Sequence, residues 1–491
     1  MKKPHSLARV LLVRTLPFPA SLLLALALST FTAHLQAQTP AIDARKAKQY
    51  FEEAKALSEK DNGALWRVPL WGPLLFVDPE TRYTVANQAD PEGKLKPLDG
   101  VFTGTAPAEL GVANTATNWA RVHWTMVGWP LPQYKQPRLR LIMHECFHRV
   151  QEQIGLNATD AQNGHLDSLG GRIWLQMEWR ALERAFWQQG EERKRDVADA
   201  VYFRNYRRSL FPAAKANEDA LEMNEGMAEY TGFKLSTSSP EEYAVAVAAW
   251  LRAAPTRTPS YSRSFAYTSG PAYGGLLDAL GKNWRTGLTP KTDLGQLLAS
   301  AHEVQIPAPD KAEAMRRAER YDGSEVIAIE TAKEEKHQTR IAAARKTFVD
   351  GPVLVLPVGE EFNYTFDPNA VLALDDKLTL YEGDIQVSDT WGLLKASGAL
   401  FSRESGKILR VQVPAPTDAS KTPLTGKGWT LELQPDWRAV PEGRSGDFAV
   451  RQKKQSLEPA QAARTLACHL CCTRTTFHQT VGISEHQNRL W

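Results

Sequence analysis

The chain has 491 residues, of which 43% are hydrophobic and 23% are charged. This composition is sufficient for two or three globular domains with their own cores, and it excludes a chain that is largely disordered. The formal net charge is only +3, and no basic block with interleaved aromatic residues occurs, so we expect no nucleic-acid partner.

The N-terminus has the three-part layout of a secretory signal peptide. Basic residues precede the apolar segment "ASLLLALALSTF", and the small and polar residues of "TAHLQAQTPA" follow it. We expect residues 1–37 to be removed by cleavage after Ala37, which makes the mature protein periplasmic or secreted. An uncleaved membrane anchor is the alternative. No later run of 18 or more apolar residues occurs, so we expect no stable membrane insertion after cleavage.

The remaining chain alternates between strand-like and helix-like patterns. Residues 42–60 are rich in helix-forming residues and predict one charged helix. Residues 65–132 contain short aromatic-rich runs between Pro, Gly and Asp turns, which predict a twisted sheet of about four strands. Helical spacing dominates residues 138–345, and short strands return after residue 349. The sequence therefore predicts an α+β fold, in which a sheet is followed by helices and then by an all-β domain.

Glycine and charge patterns predict several boundaries. The helix in "RLRLIMHECFHRVQEQIGL" is predicted to end at Gly155, and the next one, in "LGGRIWLQMEWRALERAFWQQG", at Gly190. Residues 311–345 are predicted to form one long charged helix. We therefore place the first domain at residues 38–345 and a β-sandwich or barrel at residues 346–450.

The last segment, residues 451–491, is predicted to be a flexible tail. It contains three cysteines and two histidines in "LACHLCCTRTTFH", which an alternative interpretation would treat as a metal knuckle. A zinc ribbon needs a second ligand pair at a defined spacing, and the surroundings lack strand or helix patterning. We therefore expect no metal at these residues: Cys468, His469, Cys471, Cys472 and His478.

The sequence "HECFH" at residues 144–148 is typical of a zinc-binding helix. Successive residues of a helix turn by about 100°, so His144 and His148 lie one turn apart on one face, with Glu145 at the edge of that arc. Two imidazoles can then bind one ion while the glutamate takes a proton from a water beside it. A buried helix that happens to contain two histidines is the alternative, but chance yields only about 0.01 to 0.02 matches in such a chain.

A catalytic zinc site needs a third protein ligand, and a later helix offers candidates. A histidine six residues after His148 would indicate H-E-x-x-H-x-x-G-x-x-H, but that position is Ile154. Three glutamates instead share one helical stripe in "ALEMNEGMAEYTG". A solvated acidic face is the alternative, but the residues around the charges are apolar, which favours burial with a partner. The candidates are Glu222, Glu225 and Glu229.

These motifs resemble those of the gluzincins, and especially of the aminopeptidase-N-like branch. "HECFH", "NEGMAEY" and "AYTSGPAYGGLLDAL" occur in the order of that family's zinc helix, third-ligand helix and supporting tyrosine. The resemblance covers about residues 60–285. It implies a zincin-like domain, a peptide or protein substrate, and one Zn²⁺ per chain bound by His144, His148 and Glu225.

Two features depart from the family. The chain places 77 positions between His148 and Glu225, whereas the family uses a gap of about 20. Extra helices must therefore lie between the two ligand helices. The G-x-M-E-N segment that holds a substrate's free amine is also missing, and its nearest counterpart, "GVANTATNW", lacks the glutamate. Endopeptidase action is therefore favoured over aminopeptidase action.

Five further candidates come from the resemblance and from the apolar pattern of the sequence. The resemblance implies that the Tyr267 hydroxyl stabilises the oxyanion, with Tyr273 as a rival that we interpret as a packing residue. It also implies that residues 119–128 belong to an edge strand that pairs with extended peptide. Glu178 and Arg180 lie in a strongly apolar helix and are predicted to form a buried ion pair or to support a zinc histidine.

The resulting hypothesis is an exported zinc peptidase in which Glu145 is the general base. The alternative is a catalytically silent scaffold of the same fold that binds a peptide or a cell-envelope ligand. Loss of a ligand or of Glu145 would favour the scaffold, but all of these residues are present.

Overall fold

The computed structural model describes residues 42–453 except 158, 160, 282, 368 and 369. The predicted signal peptide, and the predicted tail beyond residue 453, lie outside the described residues. Within them, no helix has both the length and the apolar character that crossing a bilayer requires. The described part is a mixed α/β structure with an N-terminal sheet, a helical region and a C-terminal all-β region, in the predicted order.

The N-terminal region consists of helix α1 (Ala44–Asp61) and a six-stranded sheet. The Asp43 carboxylate accepts the Lys46 N–H and so caps the start of the helix. The sheet has more strands than predicted because several are short. The strands are β1 (Leu74–Val77), β2 (Tyr83–Ala86), β3 (Lys96–Leu98), β4 (Val101–Thr105), β5 (Thr115–Trp119) and β6 (Val122–Gly128). Their order is β3-β4-β2-β1-β6-β5, with only β1 and β6 parallel.

The edge of this sheet differs from the prediction. Residues 119–128 were expected to form an edge strand, but β6 is internal and pairs with β1 on one side and β5 on the other. Strand β5 is the edge strand beside β6. Tryptophans lie on both sides of the β5–β6 turn and give the two strands the same sequence pattern. The pattern therefore does not show which of the two strands lies at the edge of the sheet.

The helical region follows the sheet. Its helices are α2 (Lys135–Val150), α3 (Leu169–Trp187), α4 (Gly190–Ser209), α5 (Ala214–Leu221), α6 (Met227–Ser236), α7 (Pro240–Arg257), α8 (Ser264–Asp278), α9 (Leu294–Ala301), α10 (Lys311–Ala318) and α11 (Gly323–Arg345). A π-helical turn, Glu222–Gly226, joins α5 to α6 without a break. Gly190 begins α4 rather than ending α3, so its predicted role as a helix stop is wrong.

Helix α2 packs between the sheet and α6. Met143 and Phe147 on α2 share one buried cluster with Phe76 of β1 and Val127 of β6. Helices α3 and α4 pack against each other as an antiparallel pair. In the sequence they lie between α2 and α5. They account for the long gap between the two candidate ligand helices, as the sequence predicted.

The predicted helix at residues 311–345 is interrupted. Helix α10 ends at a 3₁₀ turn, Glu319–Tyr321, and Asp322 has a left-handed conformation with φ of 55°. A Cβ on Gly323 would lie 2.6 Å from the Ala318 Cβ, so the tight turn also requires glycine. Charge alone, which gave the single-helix prediction, does not reveal such a break.

The C-terminal all-β region comprises ten strands in one sheet over its described residues. The strands are β7 (Val353–Pro357), β8 (Asn363–Thr365), β9 (Val371–Ala373), β10 (Leu378–Asp389), β11 (Gly392–Glu404), β12 (Lys407–Pro414), β13 (Leu424–Gly426), β14 (Trp429–Leu433), β15 (Trp437–Pro441) and β16 (Phe448–Gln452). The long hairpin β10–β11 is the centre, and β11 pairs with β14 along its first half and β12 along its second. Strand β16 includes Arg451 and Gln452, so the region extends slightly beyond the predicted boundary at 450.

Candidate metal centre

Three donor atoms meet between α2 and the π-helical turn. The Nε2 atoms of His144 and His148 lie 3.1 Å apart. Glu225 Oε2 lies 3.4 Å from each of them. The structure therefore brings together the three residues that the sequence predicted as ligands, and this largely buried group can hold a metal ion.

The spacing of these atoms fits a tetrahedral metal site. At metal–ligand distances of about 2.0–2.1 Å, tetrahedral geometry separates neighbouring ligand atoms by about 3.3 Å. The three observed separations are 3.1, 3.4 and 3.4 Å, so one ion can contact all three atoms without a movement of the helices. Among the described residues the group supplies three donors, so these donors would not fill the fourth position of a tetrahedral ion.

Negative charge surrounds the two imidazoles. Glu145, Glu225 and Glu229 all lie within 4.0 Å of the His144 ring nitrogens. Burial alone would lower the pKa of His144, but hydrogen bonds to Glu225 and Glu229 raise this pKa to about 10. The cluster therefore favours a bound positive charge, which a metal cation can supply.

Each histidine is oriented through its other ring nitrogen. His144 Nδ1 lies 2.8 Å from Glu229 Oε2, and Glu229 Oε1 lies 3.4 Å from Arg140 Nε. His148 Nδ1 lies 2.8 Å from Gln151 Oε1. Because carboxylate and amide oxygens accept hydrogen bonds, both Nδ1 atoms carry a proton, and a metal that displaces the proton at Nε2 of His144 would find both Nε2 lone pairs directed to it.

Asn224 connects the "NEG" sequence to the end of α2. Gln151 Nε2 donates a hydrogen bond of 3.0 Å to Asn224 Oδ1. The "NEG" sequence thus supplies both a candidate ligand and, through Gln151, support for His148. Sequence reasoning missed Gln151 and Asn224, although the position of Asn224 directly before Glu225 was an available signal.

A close helix crossing places α8 over the ligands. Gly226, at the end of the π-helical turn, lies against Gly270 of α8. A Cβ on Gly270 would come within 2.3 Å of the Gly226 Cα, so a side chain there would force the helices apart. Such π-helical turns frequently occur at functional sites.

The three glutamates of the predicted stripe have different partners. Glu222 is fully buried and its carboxylate binds the Arg204 guanidinium, with one bond of 2.9 Å to Nη1. Glu225 faces the histidine pair, and Glu229 orients His144 from the opposite side of the ring. The π-helical turn changes the residue spacing within the stripe, which a regular helix pattern cannot anticipate.

Glu145 lies beside the candidate metal position without being one of its three donors. Its side chain is buried, and Oε1 is 4.0 Å from His144 Nε2. Within the described residues, Oε2 has no hydrogen-bond partner. Burial raises the pKa of this carboxyl. A buried carboxylate oxygen without a partner is costly, and this one lies beside the three donor atoms, so it is placed to accept a hydrogen bond from a molecule bound there.

Tyr267 lies over the flat face of the His144 ring. The two rings are stacked, with centroids 5.4 Å apart and planes 6° apart. The Tyr267 hydroxyl donates a hydrogen bond of 2.6 Å to Glu225 Oε2. Burial, together with the Glu225 charge, raises the pKa of this phenol, so it remains a donor at neutral pH. Tyr273 is buried and donates to Glu178 Oε1 at 2.7 Å, in keeping with its predicted packing role.

Arg263 is a site residue that sequence reasoning missed. It directly precedes α8, and its Nη2 donates to Glu225 Oε1 at 2.5 Å. Its side chain is 38% exposed, whereas that of Glu225 is 5% exposed. The one signal in the sequence was its position four residues before Tyr267, which puts both on the same side of α8.

The predicted pairing of Glu178 with Arg180 is wrong. Glu178 is fully buried and binds Arg204 Nη1 at 3.2 Å and the Arg207 guanidinium, both from α4. Arg180 instead reaches Asp322 Oδ2 at 2.9 Å. Residues two apart on a helix point in different directions, and the true partners come from another helix. The contacts that orient His144 and His148 come from Glu229 and Gln151, not from Glu178.

Comparison with known proteins gives no match to this chain among family models, curated proteins or solved structures.

Proposed function

We propose that this protein is a zinc-dependent peptidase. The observation that carries the proposal is the triangle of His144, His148 and Glu225 donor atoms, beside which Glu145 Oε2 is buried with no hydrogen-bond partner in the described part of the chain. A structural metal site would be closed by a fourth protein ligand, and it would not place a buried, unsatisfied carboxylate next to the ion.

Zinc is the metal that the donor set favours. Two histidines and one glutamate are a known ligand combination of catalytic zinc, and histidines held through Nδ1 by a carboxylate and an amide are typical of such sites. Bound Zn²⁺ would polarise the scissile carbonyl and activate a water molecule. We infer one Zn²⁺ per chain.

Glu145 and Tyr267 are the residues proposed to act on the substrate. Glu145 accepts a proton from the attacking water and transfers it to the leaving amine nitrogen, while the water oxygen bonds to the carbonyl carbon and the C–N bond breaks. The Tyr267 hydroxyl donates to Glu225 Oε2 in the structure, and in the reaction it would turn from Glu225 to the carbonyl oxygen and stabilise the negative charge that develops there. Both groups are held by rigid helices, which favours catalysis through preorganisation.

The substrate is proposed to be an extended peptide. Strand β5 is at the edge of its sheet and contacts α2, so a peptide paired with β5 would lie near the donor atoms. Endopeptidase action is favoured because the sequence lacks the glutamate that would hold a free amine. The proposed unit is a zincin-like, gluzincin-type domain at residues 38–345, exported to the periplasm or secreted, with a separate β-domain at 346–450.

Metal analysis paired with peptide cleavage tests this function. The purified protein should contain about one zinc per chain, hydrolyse members of a broad peptide library, lose that activity after chelation and regain it with Zn²⁺. Equimolar zinc without any cleavage would instead favour the silent scaffold that binds a peptide or a cell-envelope ligand. Absence of zinc after incubation with the metal would contradict both.

A further inference from the structure

The two oxygens of Glu225 have different partners. Oε2 faces the two histidines and accepts the Tyr267 hydroxyl at 2.6 Å. Oε1 accepts Arg263 Nη2 at 2.5 Å. The carboxylate is therefore held from both ends, with one oxygen directed to the metal position and the other bound to a cation.

Both contacts to Glu225 come from the start of α8. Arg263 lies one helical turn before Tyr267, and the close crossing of Gly226 and Gly270 fixes α8 against the ligand helix. The bond between the Arg263 guanidinium and the Glu225 carboxylate is charge-assisted, and the Glu225 side chain is buried. The bond is therefore stronger than a neutral hydrogen bond. The orientation of the carboxylate is thus set by a rigid neighbouring element.

The number of Glu225 oxygens on the metal determines how much of the coordination sphere stays open. A carboxylate binds a metal through one oxygen or through two. A catalytic zinc site needs three protein ligands and a free position, and a second Glu225 oxygen would compete for that position. Oε1 accepts a charge-assisted bond from the Arg263 guanidinium, whereas Oε2 accepts only a neutral phenol hydroxyl and lies 3.4 Å from both histidine Nε2 atoms. Oε2 is therefore the oxygen placed for the ion, and Arg263 holds Oε1 away from it.

We infer that Arg263 is a positioning residue that keeps Glu225 a one-oxygen ligand and thereby preserves the open metal position. This inference rests on the metal site of the proposed function. It does not require the substrate to be a peptide, because it concerns only how the carboxylate meets the ion.

The test replaces zinc with Co²⁺, whose visible absorption is intense in four-coordinate sites and weaker in five-coordinate ones. The wild-type protein should give the four-coordinate spectrum. In Arg263→Gln the second oxygen is released, so the visible absorption should fall toward five-coordinate values with Co²⁺ still bound. Arg263→Lys, which keeps a cationic donor, should retain the intense spectrum.

Arg257→Gln is the matched control. Arg257 is another partly buried arginine beside α8, but it donates to Thr268 Oγ1 at 2.8 Å and the Trp250 carbonyl rather than to a candidate ligand. Its substitution should leave the Co²⁺ spectrum unchanged. A four-coordinate Arg263→Gln protein, a five-coordinate Arg263→Lys protein, or an equal change in Arg257→Gln would each overturn the inference.

The same measurements distinguish failure of this inference from failure of the proposed peptidase function. A wild-type protein that binds Co²⁺ and shows the expected Arg263→Gln change, but cleaves no peptide, would retain the positioning role and reject the peptidase. A protein that cleaves peptides while Arg263→Gln keeps the intense spectrum would retain the peptidase and reject the positioning role. Failure of the wild-type protein to bind Co²⁺ would reject both.

Discussion

Glu225 and Glu229 lie four residues apart on one helix but act on opposite sides of the His144 ring. Glu225→Ala should lose zinc, because two imidazoles alone cannot match the affinity of a three-ligand site. Glu229→Ala should keep the metal with an affinity lower by about 10- to 100-fold, the effect expected for a residue that orients a ligand. Zinc titration against a competing chelator measures both.

The two variants also test the alignment of the motif with the metal. If Glu229→Ala strips the metal while Glu225→Ala retains it, the third ligand has been assigned one helical turn too early. Glu222→Ala is not a neutral control, because Glu222 is buried against Arg204 and its removal would leave that guanidinium without its main partner.

The Tyr267 hydroxyl is expected to act on turnover. Tyr267→Phe keeps the ring over His144 and removes only the donor, so kcat should fall by about 10- to 1000-fold with zinc content and KM nearly unchanged. Steady-state peptide hydrolysis measures this. Tyr273→Phe is the matched control, and it should lower stability through loss of its bond to Glu178 while kcat stays within a few-fold of wild type. Equal kcat values for Tyr267→Phe and wild type would remove Tyr267 from the mechanism.

Individual site residues could be predicted from the sequence where they occur together in one short motif. His144, Glu145 and His148 lie within five residues, and Glu225 lies within a short motif, so their types and order were sufficient. Arg263 and Gln151 were not found, because a surface arginine and a glutamine are common residues. Their roles depend on which atoms of distant segments come together, and that is decided by the packing of α8 and α2.

Among the elements, the close crossing of α8 with the ligand helix constrains where α8 can lie over the site. Gly270→Ala would place a Cβ about 2.3 Å from Gly226, so the helices must separate. Overpacking of this kind typically costs 1–3 kcal/mol. We expect a lower free energy of unfolding in urea, together with weaker zinc binding because Tyr267 and Arg263 move with α8.

Gly111→Ala is the control for this effect, because nothing lies within 4 Å of the added Cβ. It should change neither property appreciably. Wild-type stability and zinc affinity in Gly270→Ala would show that the crossing has room for a side chain and does not fix α8 over the site.

The buried charge cluster between α4 and α5 predicts a loss of stability in acid. Burial alone would raise the pKa of Glu218, but the Arg207 and Arg208 guanidiniums hold it well below the ordinary value of 4.5. A carboxyl whose pKa is lower in the folded state stabilises the protein above the unfolded pKa, and this contribution is lost as the pH falls through the folded pKa. The free energy of unfolding should therefore fall steadily below about pH 4.5.

Urea unfolding of the metal-free protein at a series of pH values measures this dependence. Glu218→Gln should be less stable at pH 7 and should show a shallower decline below pH 4.5. Glu313→Gln is the control, since Glu313 also contacts two arginines but lies at the surface, where such pairs contribute little. An unchanged acid slope in Glu218→Gln would contradict the assigned role of the cluster.

The secondary structure could be predicted where the pattern was long and periodic. Helices α2 and α3 followed from apolar spacing. The break between α10 and α11 and the π-helical turn could not, since both depend on tertiary contacts at Gly323 and at Gly226 rather than on local periodicity.

For the whole molecule, the sequence order of sheet, helices and all-β region was predicted from composition shifts, and the structure has that order. The end of α11 packs on the β-region, where Ala344 shares a buried cluster with Leu380 and Leu400. This contact could not be predicted from the sequence, because the cluster joins residues far apart in the chain. The candidate metal centre lies wholly within the helical region, so we expect its chemistry not to require the β-region.

Glu145→Gln tests the central claim most directly, because the substitution keeps the shape of the side chain and removes its ability to take a proton. Zinc content and peptide hydrolysis are measured together, with the exposed Glu152→Gln on the turn after α2 as the control. We predict about one zinc per chain in both variants, with hydrolysis lower by several orders of magnitude only in Glu145→Gln. Full activity in a zinc-loaded Glu145→Gln protein would contradict the proposed peptidase mechanism.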